Sequence, residues 1–275
     1  MKSIITFFLI FPSLSTIAQE SLNPSGFGAW GEVEINVSSE TKNALLEQLV
    51  KQYGEGIMTM NGHEVHPNSY HVIDLNSDGQ LDLAYSGEYL EDRGALIYLN
   101  KGSEFERSDL IAGEVVRIAK TSLSNSFEIK SHLRPCCAGE VHTLYVYLAY
   151  VTSTIKLVNL SIINFMEETS ESSNSIKSTR FTTVNPEYKL RATPEINPDF
   201  NSWMGTFDGN TCAIYPKGSR GVAVAESTDE TGRVWWFVIM DNNIAPIKSL
   251  MYFGDKPMMS KSMGWMSSRF VEVQD

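Results

Sequence analysis

The sequence predicts a mainly β protein: an N-terminal α+β domain with an antiparallel sheet and one helix, followed by a smaller all-β domain. Three observations predict it. One stretch, 39–53, carries a helical period; from Tyr70 onward short apolar segments alternate with turn residues; and a polar Ser/Thr-rich stretch interrupts that β pattern once, at 167–179.

The first 18 residues read as a signal peptide. Lys2 supplies the positive start, Ile4 to Phe11 form a short apolar run, and Thr16-Ile17-Ala18 places small residues where a signal peptidase reads, with cleavage after Ala18. The expectation is an exported protein, in a bacterial periplasm, at the outer surface or secreted. The apolar run is shorter than the roughly 20 residues a spanning helix needs, and no later stretch of that length lacks polar residues.

Across 275 residues, 22 Lys+Arg face 33 Asp+Glu, a net charge of −11, and 42 % of residues are hydrophobic. That composition supports a packed core and excludes wholesale disorder. The acidic balance argues against nucleic acid or an anionic membrane surface as partner, because both reward dense positive charge.

Residues 39–53 (SETKNALLEQLVKQY) form the helix: Leu45, Leu46, Leu49 and Val50 recur at three-to-four spacing and give one apolar stripe. Strands follow at 70–73, 81–85, 95–99, 115–119, 126–129, 141–151 and 154–163, with turns at Asn76-Ser77-Asp78-Gly79 and Asn100-Lys101-Gly102. Residues 167–179 (EETSESSNSIKST) have the composition of a solvated connector, so the expected domains are 19–166 and 180–275.

The most specific chemistry lies in Asp74-Leu75-Asn76-Ser77-Asp78-Gly79-Gln80-Leu81-Asp82. Side-chain oxygens at positions 1, 3, 5 and 9, with the Gln80 carbonyl at position 7 and a glycine for the sharp turn, suit a hard cation such as Ca²⁺. An EF-hand does not fit, because Tyr85 stands at position 12 and the flanks read as strands. The loop resembles the FG-GAP/VCBS family of extracellular β repeats, and the likeness continues through Gly94 to Phe105 (GALIYLNKGSEF). The resemblance implies calcium at Asp74, Asn76, Asp78 and Asp82 in a structural role. A single copy of the loop predicts one calcium hairpin in a small α+β domain.

Three cysteines remain after signal cleavage: the adjacent Cys136 and Cys137, and Cys212. An exported chain permits a vicinal Cys136-Cys137 ring or a bridge from one of them to Cys212. His132 and His142 flank the pair, a set of soft donors that makes a metal or redox centre the alternative reading. The group His63, Glu64, His66 and His71 lacks the spacing that would place two histidines on one helical face, and reads as surface or turn residues. No nucleophile elbow, Gly-rich phosphate loop or signed acid pair occurs, so the expectation is a non-catalytic protein.

Alternation puts Trp235 and Phe237 on one strand face, Trp236 and Val238 on the other. Three segments here resemble bacterial SH3-like (SH3b) domains: Tyr188-Lys189-Leu190-Arg191-Ala192-Thr193-Pro194, Thr231-Gly232-Arg233-Val234-Trp235-Trp236, and Gly264-Trp265-Met266-Ser267-Ser268-Arg269-Phe270. The resemblance implies a small SH3-like β-barrel that binds peptide or cell-wall peptidoglycan. A small barrel has room inside for only one of the two strand faces, which leaves two readings: one of Trp235 and Trp236 forms an aromatic ligand-binding surface with Tyr188, Trp203 or Trp265, or both are buried, one in the barrel and one under the long 241–263 segment. Arg191 and Arg269 read as braces of that barrel.

Overall fold

The computed structural model describes residues 30, 33–60, 63–89, 92–123, 125–134, 141–152, 154–166, 174–200, 207–242, 244–251 and 260–274. The signal segment, Cys136, Cys137 and Trp203 lie outside the described residues.

Helix α1 (Ser39–Tyr53) occupies the expected stretch. Ser38 caps it, its Oγ accepting the Thr41 N–H at 3.3 Å, and Gly54 ends it at φ +82°. A two-stranded ribbon, β1 (Thr59–Met60) and β2 (His63–Glu64), leads into an antiparallel sheet. That sheet contains β3 (Tyr70–Ile73), β4 (Asp82–Tyr89), β5 (Asp92–Asn100), β6 (Phe105–Arg107) and β7 (Ile111–Ala112). One face of it takes the apolar stripe of α1: Leu46 and Leu49 pack with Tyr70, Val72, Leu83, Tyr85 and Tyr98.

The remaining strands form one large sheet. They are β8 (Glu114–Lys120), β9 (Ser126–Leu133), β10 (Val141–Val151), β11 (Ile155–Met166), β12 (Asn174–Thr183), β13 (Glu187–Arg191), β14 (Thr211–Pro216), β15 (Arg220–Thr228), β16 (Val234–Met240), β17 (Lys248–Ser249), β18 (Lys261–Ser267) and β19 (Val271–Gln274). Its order is β19-β12-β15-β16-β18-β11-β10-β9-β8, with β13 and β14 branching from β18. The pairings are antiparallel except at β11–β18, where Ile163 and Asn164 face Lys261 and Ser262 in parallel register.

That parallel joint couples the two halves of the chain. Leu144, Val146 and Ile163 of β10 and β11 meet Trp235, Phe237 and Trp265 of β16 and β18 in one shared core. The opposite face of β10 carries Tyr147, Ala149 and Val151 against Ile73, Ala95 and Ile97 of the smaller sheet. Strand β10 is therefore covered on both faces, which explains its nearly unbroken apolar run. On the far side of β16, Val238 and Met240 pack with Phe181, Leu190, Ala213 and Tyr215.

The mainly β class and the helix at 39–53, the one α-helix among the described residues, stand as the sequence predicts. Two details differ. Residues 174–179 of the expected connector belong to β12, where Thr179 pairs with Ala223 and Asn174 with Glu226; their polar side chains suit a strand with a wet face as well as a linker. Among the described residues no barrel closes around the second core, since β19 pairs with β12 alone.

Candidate functional site

The acidic loop joins β3 to β4, and its backbone is shaped by its own carboxylates. Asp74 accepts the N–H groups of Asp78 and Gly79, at 3.2 and 3.1 Å, and Asp78 accepts that of Gln80 at 2.8 Å. Ser77 and Gly79 take φ of +57° and +81°, and the left-handed conformation at position 79 is the one a glycine adopts without strain.

Asp82 is the fully buried member. Its Oδ2 accepts the Leu75 N–H at 2.9 Å and its Oδ1 the Asn100 N–H at 2.8 Å, tying the loop to the end of β5. Burial pushes its carboxyl up to about 6; the hydrogen bonds pull the other way, and the charges of Asp78 and Asp74 raise it further. Among the described residues no group of three or more His, Cys, Asp or Glu side chains is disposed to hold a metal ion.

Asn100 is the partner that the sequence reading missed. Its Nδ2 donates to the Leu81 carbonyl at 3.1 Å and its Oδ1 accepts the Gly102 N–H at 2.8 Å. The signal was present in the Asn100-Lys101-Gly102 turn, taken there for its shape alone.

His132 and His142 come together. They lie on the adjacent strands β9 and β10, and His132 Nε2 sits 2.9 Å from His142 Nδ1. Both rings are buried and pack on Phe165, which stands opposite His142 in β11. Burial pushes His132 down to about 4, with His142 and the guanidinium groups of Arg134 and Arg93 lowering it further, so the ring is neutral at pH 7. Phe165 lay in an unremarkable apolar run and gave no sequence signal.

The other histidines are placed as turn and surface groups. His66 caps the short 3₁₀ turn at Pro67–Ser69 through its Nδ1, and His71 stacks on Trp30 while contacting Glu34 at 2.8 Å. The side chains of His63 and Glu64 lie outside the described residues. Cys212 is buried, and its thiol donates to the Leu190 carbonyl at 3.2 Å.

The expected aromatic surface is largely inside. Trp235 and Trp265 are 1 % and 0 % exposed, and Tyr188 is buried at the edge of the second core with its hydroxyl on the Ser267 carbonyl. Burying a tryptophan removes on the order of 200 Å² from water, worth about 5 kcal/mol, so a ring that can reach a second layer goes there. That layer is β10 and β11, which the sequence reading assigned to a separate domain. Trp236 alternates to the other face, lies 6.1 Å from the Phe181 ring and is the one tryptophan among the described residues that is not buried.

Arg191 is buried, donating to Asn210 Oδ1 at 2.7 Å and to Thr211 Oγ1 at 3.1 Å, and so ties the end of β13 to the start of β14. Arg269 is exposed on the 3₁₀ turn before β19. No helix is long and apolar enough to cross a membrane among the described residues. No protein-family model matches the chain, and comparison with curated proteins and with solved structures finds no match.

Proposed function

We propose that this chain is an exported, non-catalytic binding protein whose C-terminal β region engages peptide or cell-wall material, peptidoglycan stem peptides above all, in a bacterial periplasm or at the cell surface. Trp236 carries the reading. It is a large aromatic left partly open on a strand whose other aromatics are buried, beside the chain end where Val271 is half-buried and Val273 is exposed. In the β12–β19 register Phe181 faces Val273 and Thr183 faces Val271, so these groups share the face that Trp236 occupies. An aromatic ring flanked by apolar side chains is a favourable platform for extended peptides and for sugar faces.

Calcium at the acidic loop belongs to the same proposal, as a structural ion. Supporting it are the oxygen donors Asp74, Asn76, Asp78, the Gln80 carbonyl and Asp82, and a buried carboxylate whose charge is costly beside two others. Each Asp82 oxygen accepts one N–H and keeps a lone pair for a cation.

The deciding experiment is retention of the exported chain on purified, insoluble peptidoglycan, comparing wild type with Trp236→Ala. Retention of the wild type that falls several-fold in the variant supports the reading. No retention of the wild type, or equal retention of a folded variant, ends it.

A further inference from the structure

We infer that the ligand held at Trp236 carries an ammonium group, and that Glu226 selects it: the site takes an extended peptide through a lysine-like side chain. This rests on the peptide-binding reading above and names the chemical class that the same site recognises.

Register supplies the geometry. Glu226 of β15 stands directly opposite Trp236 of β16, and Asn174 of β12 directly opposite Glu226, so carboxamide, carboxylate and indole form one row across the sheet. Directly opposed residues of an antiparallel pair share a face, with Cβ atoms about 5 Å apart. The carboxylate is therefore held beside the indole, on the face away from the buried Trp235. Met266, opposite Trp236 in β18, is buried and closes the row on its inner side. Asn174 is exposed and Glu226 and Trp236 are half-buried, so the row rises from the core to solvent.

Charge supplies the selectivity. The carboxylate attracts a cation by its charge and the indole face by its quadrupole. Among the described residues neither has one: Glu226 makes no ion pair, and no Lys or Arg lies over Trp236. Its neighbour differs, since the Arg233 guanidinium lies 5.5 Å from the Trp235 ring. The cations of the surrounding strands are placed elsewhere. Arg233 is on the Trp235 face, and Lys261 sits 4.0 Å from Asp241. Arg180 is one residue out of step with Phe181 and so projects from the other face of β12, while Lys177, exposed in the register shift of that strand, pairs with neither group. A net charge of −11 also draws positive ligands to the molecule as a whole.

An ammonium group suits this row. Its three donors can go to the Glu226 carboxylate, the Asn174 amide oxygen and water, while the cation rests on the indole face. Ile176 and Val271, half-buried on the same cluster as Trp236, leave apolar surface for a methylene stem, which such side chains lay down while keeping their charge in water. Both strands that carry the row are paired on each side, so the carboxylate and the ring are held in place before the ligand arrives, which lowers the ordering cost of binding. Peptidoglycan stem peptides carry an amine of this kind on their diamino acid, and acetylation removes its charge while leaving the chain intact.

The test compares retention of the exported chain on insoluble peptidoglycan whose amines are free with retention on the same material after N-acetylation. Acetylation should weaken wild-type binding at least about fivefold. Glu226→Gln, checked for folding by circular dichroism, should bind both materials equally, at the level the wild type shows on the acetylated one, and Glu226→Asp should restore part of the preference. If Glu226→Gln fails to fold, the acetylation comparison, which needs no variant, decides alone. Equal wild-type retention on both materials, or a folded Glu226→Gln that keeps the wild-type preference, overturns the ammonium assignment and leaves the peptide-binding reading to stand on Trp236→Ala. No wild-type retention on either material ends both.

Discussion

Asp229 Oδ2 accepts the indole N–H of Trp235 at 2.8 Å, while its Oδ1 accepts the N–H groups of Thr231 and Arg233. One carboxylate thus closes the turn between β15 and β16 and satisfies the polar edge of a tryptophan that is otherwise in the core. Replacing it leaves a buried indole donor unpaired, which costs about 1–3 kcal/mol. Asp229→Ala should lower the urea midpoint accordingly, with the slope unchanged. The hydrogen bond from Thr231, with those from Trp235 and the turn backbone, holds the Asp229 carboxyl below its ordinary value of 3.8. A carboxyl depressed in the fold contributes stability that is complete above its unfolded pKa and is lost as pH falls through the folded one. The gap between wild type and variant should therefore be full above about pH 4 and narrow as the solution is made more acidic. A gap independent of pH down to 2 would contradict the charge's role.

Gly113 shows how close the strands come beside the histidine pair. It has φ +80°, and a Cβ placed there would lie 2.6 and 2.7 Å from the carbonyl carbon and oxygen of His132. Both the conformation and the space reject a side chain, so Gly113→Ala should destabilise by about 2–4 kcal/mol. Gly232 shares the left-handed conformation, at φ +74°, but has nothing within 4 Å of its Cβ position. Gly232→Ala should cost only about 1 kcal/mol. Equal losses in chemical denaturation would show that close packing at β8–β9 adds nothing.

How legible this molecule is depends on the range of the interactions involved. The helix could be read because Leu45, Leu46 and Leu49 recur at helical spacing within one short stretch, a purely local signal. The split of Trp235 from Trp236 could be read because alternation is a property of one strand. What covers each face could not. Trp235 and Trp265 looked like surface candidates because nothing local announces that Leu144 and Val146, about 90 to 120 residues earlier, pack against them. The β12 stretch 174–179 failed for a related reason: Ser and Thr are as common in wet strands as in linkers, and only pairing with β15 distinguishes them. The acidic loop was legible as a turn, whereas the backbone bond from Asn100 to Asp82 spans 18 residues and leaves no local trace.

Calcium at the acidic loop predicts a stability effect with a defined sign. Asp82 is buried, and Asp74 and Asp78 crowd it with like charge. A cation held by all three offsets that repulsion, and any ligand that binds only the folded state stabilises it by mass action, by about 2.7 kcal/mol at a concentration 100 times its Kd. The melting temperature should rise by several degrees in millimolar Ca²⁺ relative to EDTA, and Asp78→Asn should reduce the rise. Mg²⁺ should do less, since it demands a tighter octahedral cage than a nine-residue turn provides. Superimposable melts in Ca²⁺ and EDTA would remove calcium from the loop.

Trp235 and Trp236 are neighbours in sequence with opposite surroundings, and substituting each separately tests the reading of the surface. Trp235→Ala empties a site enclosed by two layers of sheet and removes the indole that Asp229 holds; losses of about 3–5 kcal/mol are typical for such truncations. Trp236 is only half-buried beside Phe181, so its truncation deletes fewer contacts and leaves a notch open to water in place of a cavity. It should cost about 1–2 kcal/mol, because cavity cost scales with what cannot collapse or rehydrate. If Trp236→Ala proves as damaging as Trp235→Ala, the ring is a core element and cannot serve as a docking platform. If it is cheap in stability but abolishes peptidoglycan retention, the strand carries a packing tryptophan and a binding tryptophan side by side, separated only by the two-residue period of the β pleat.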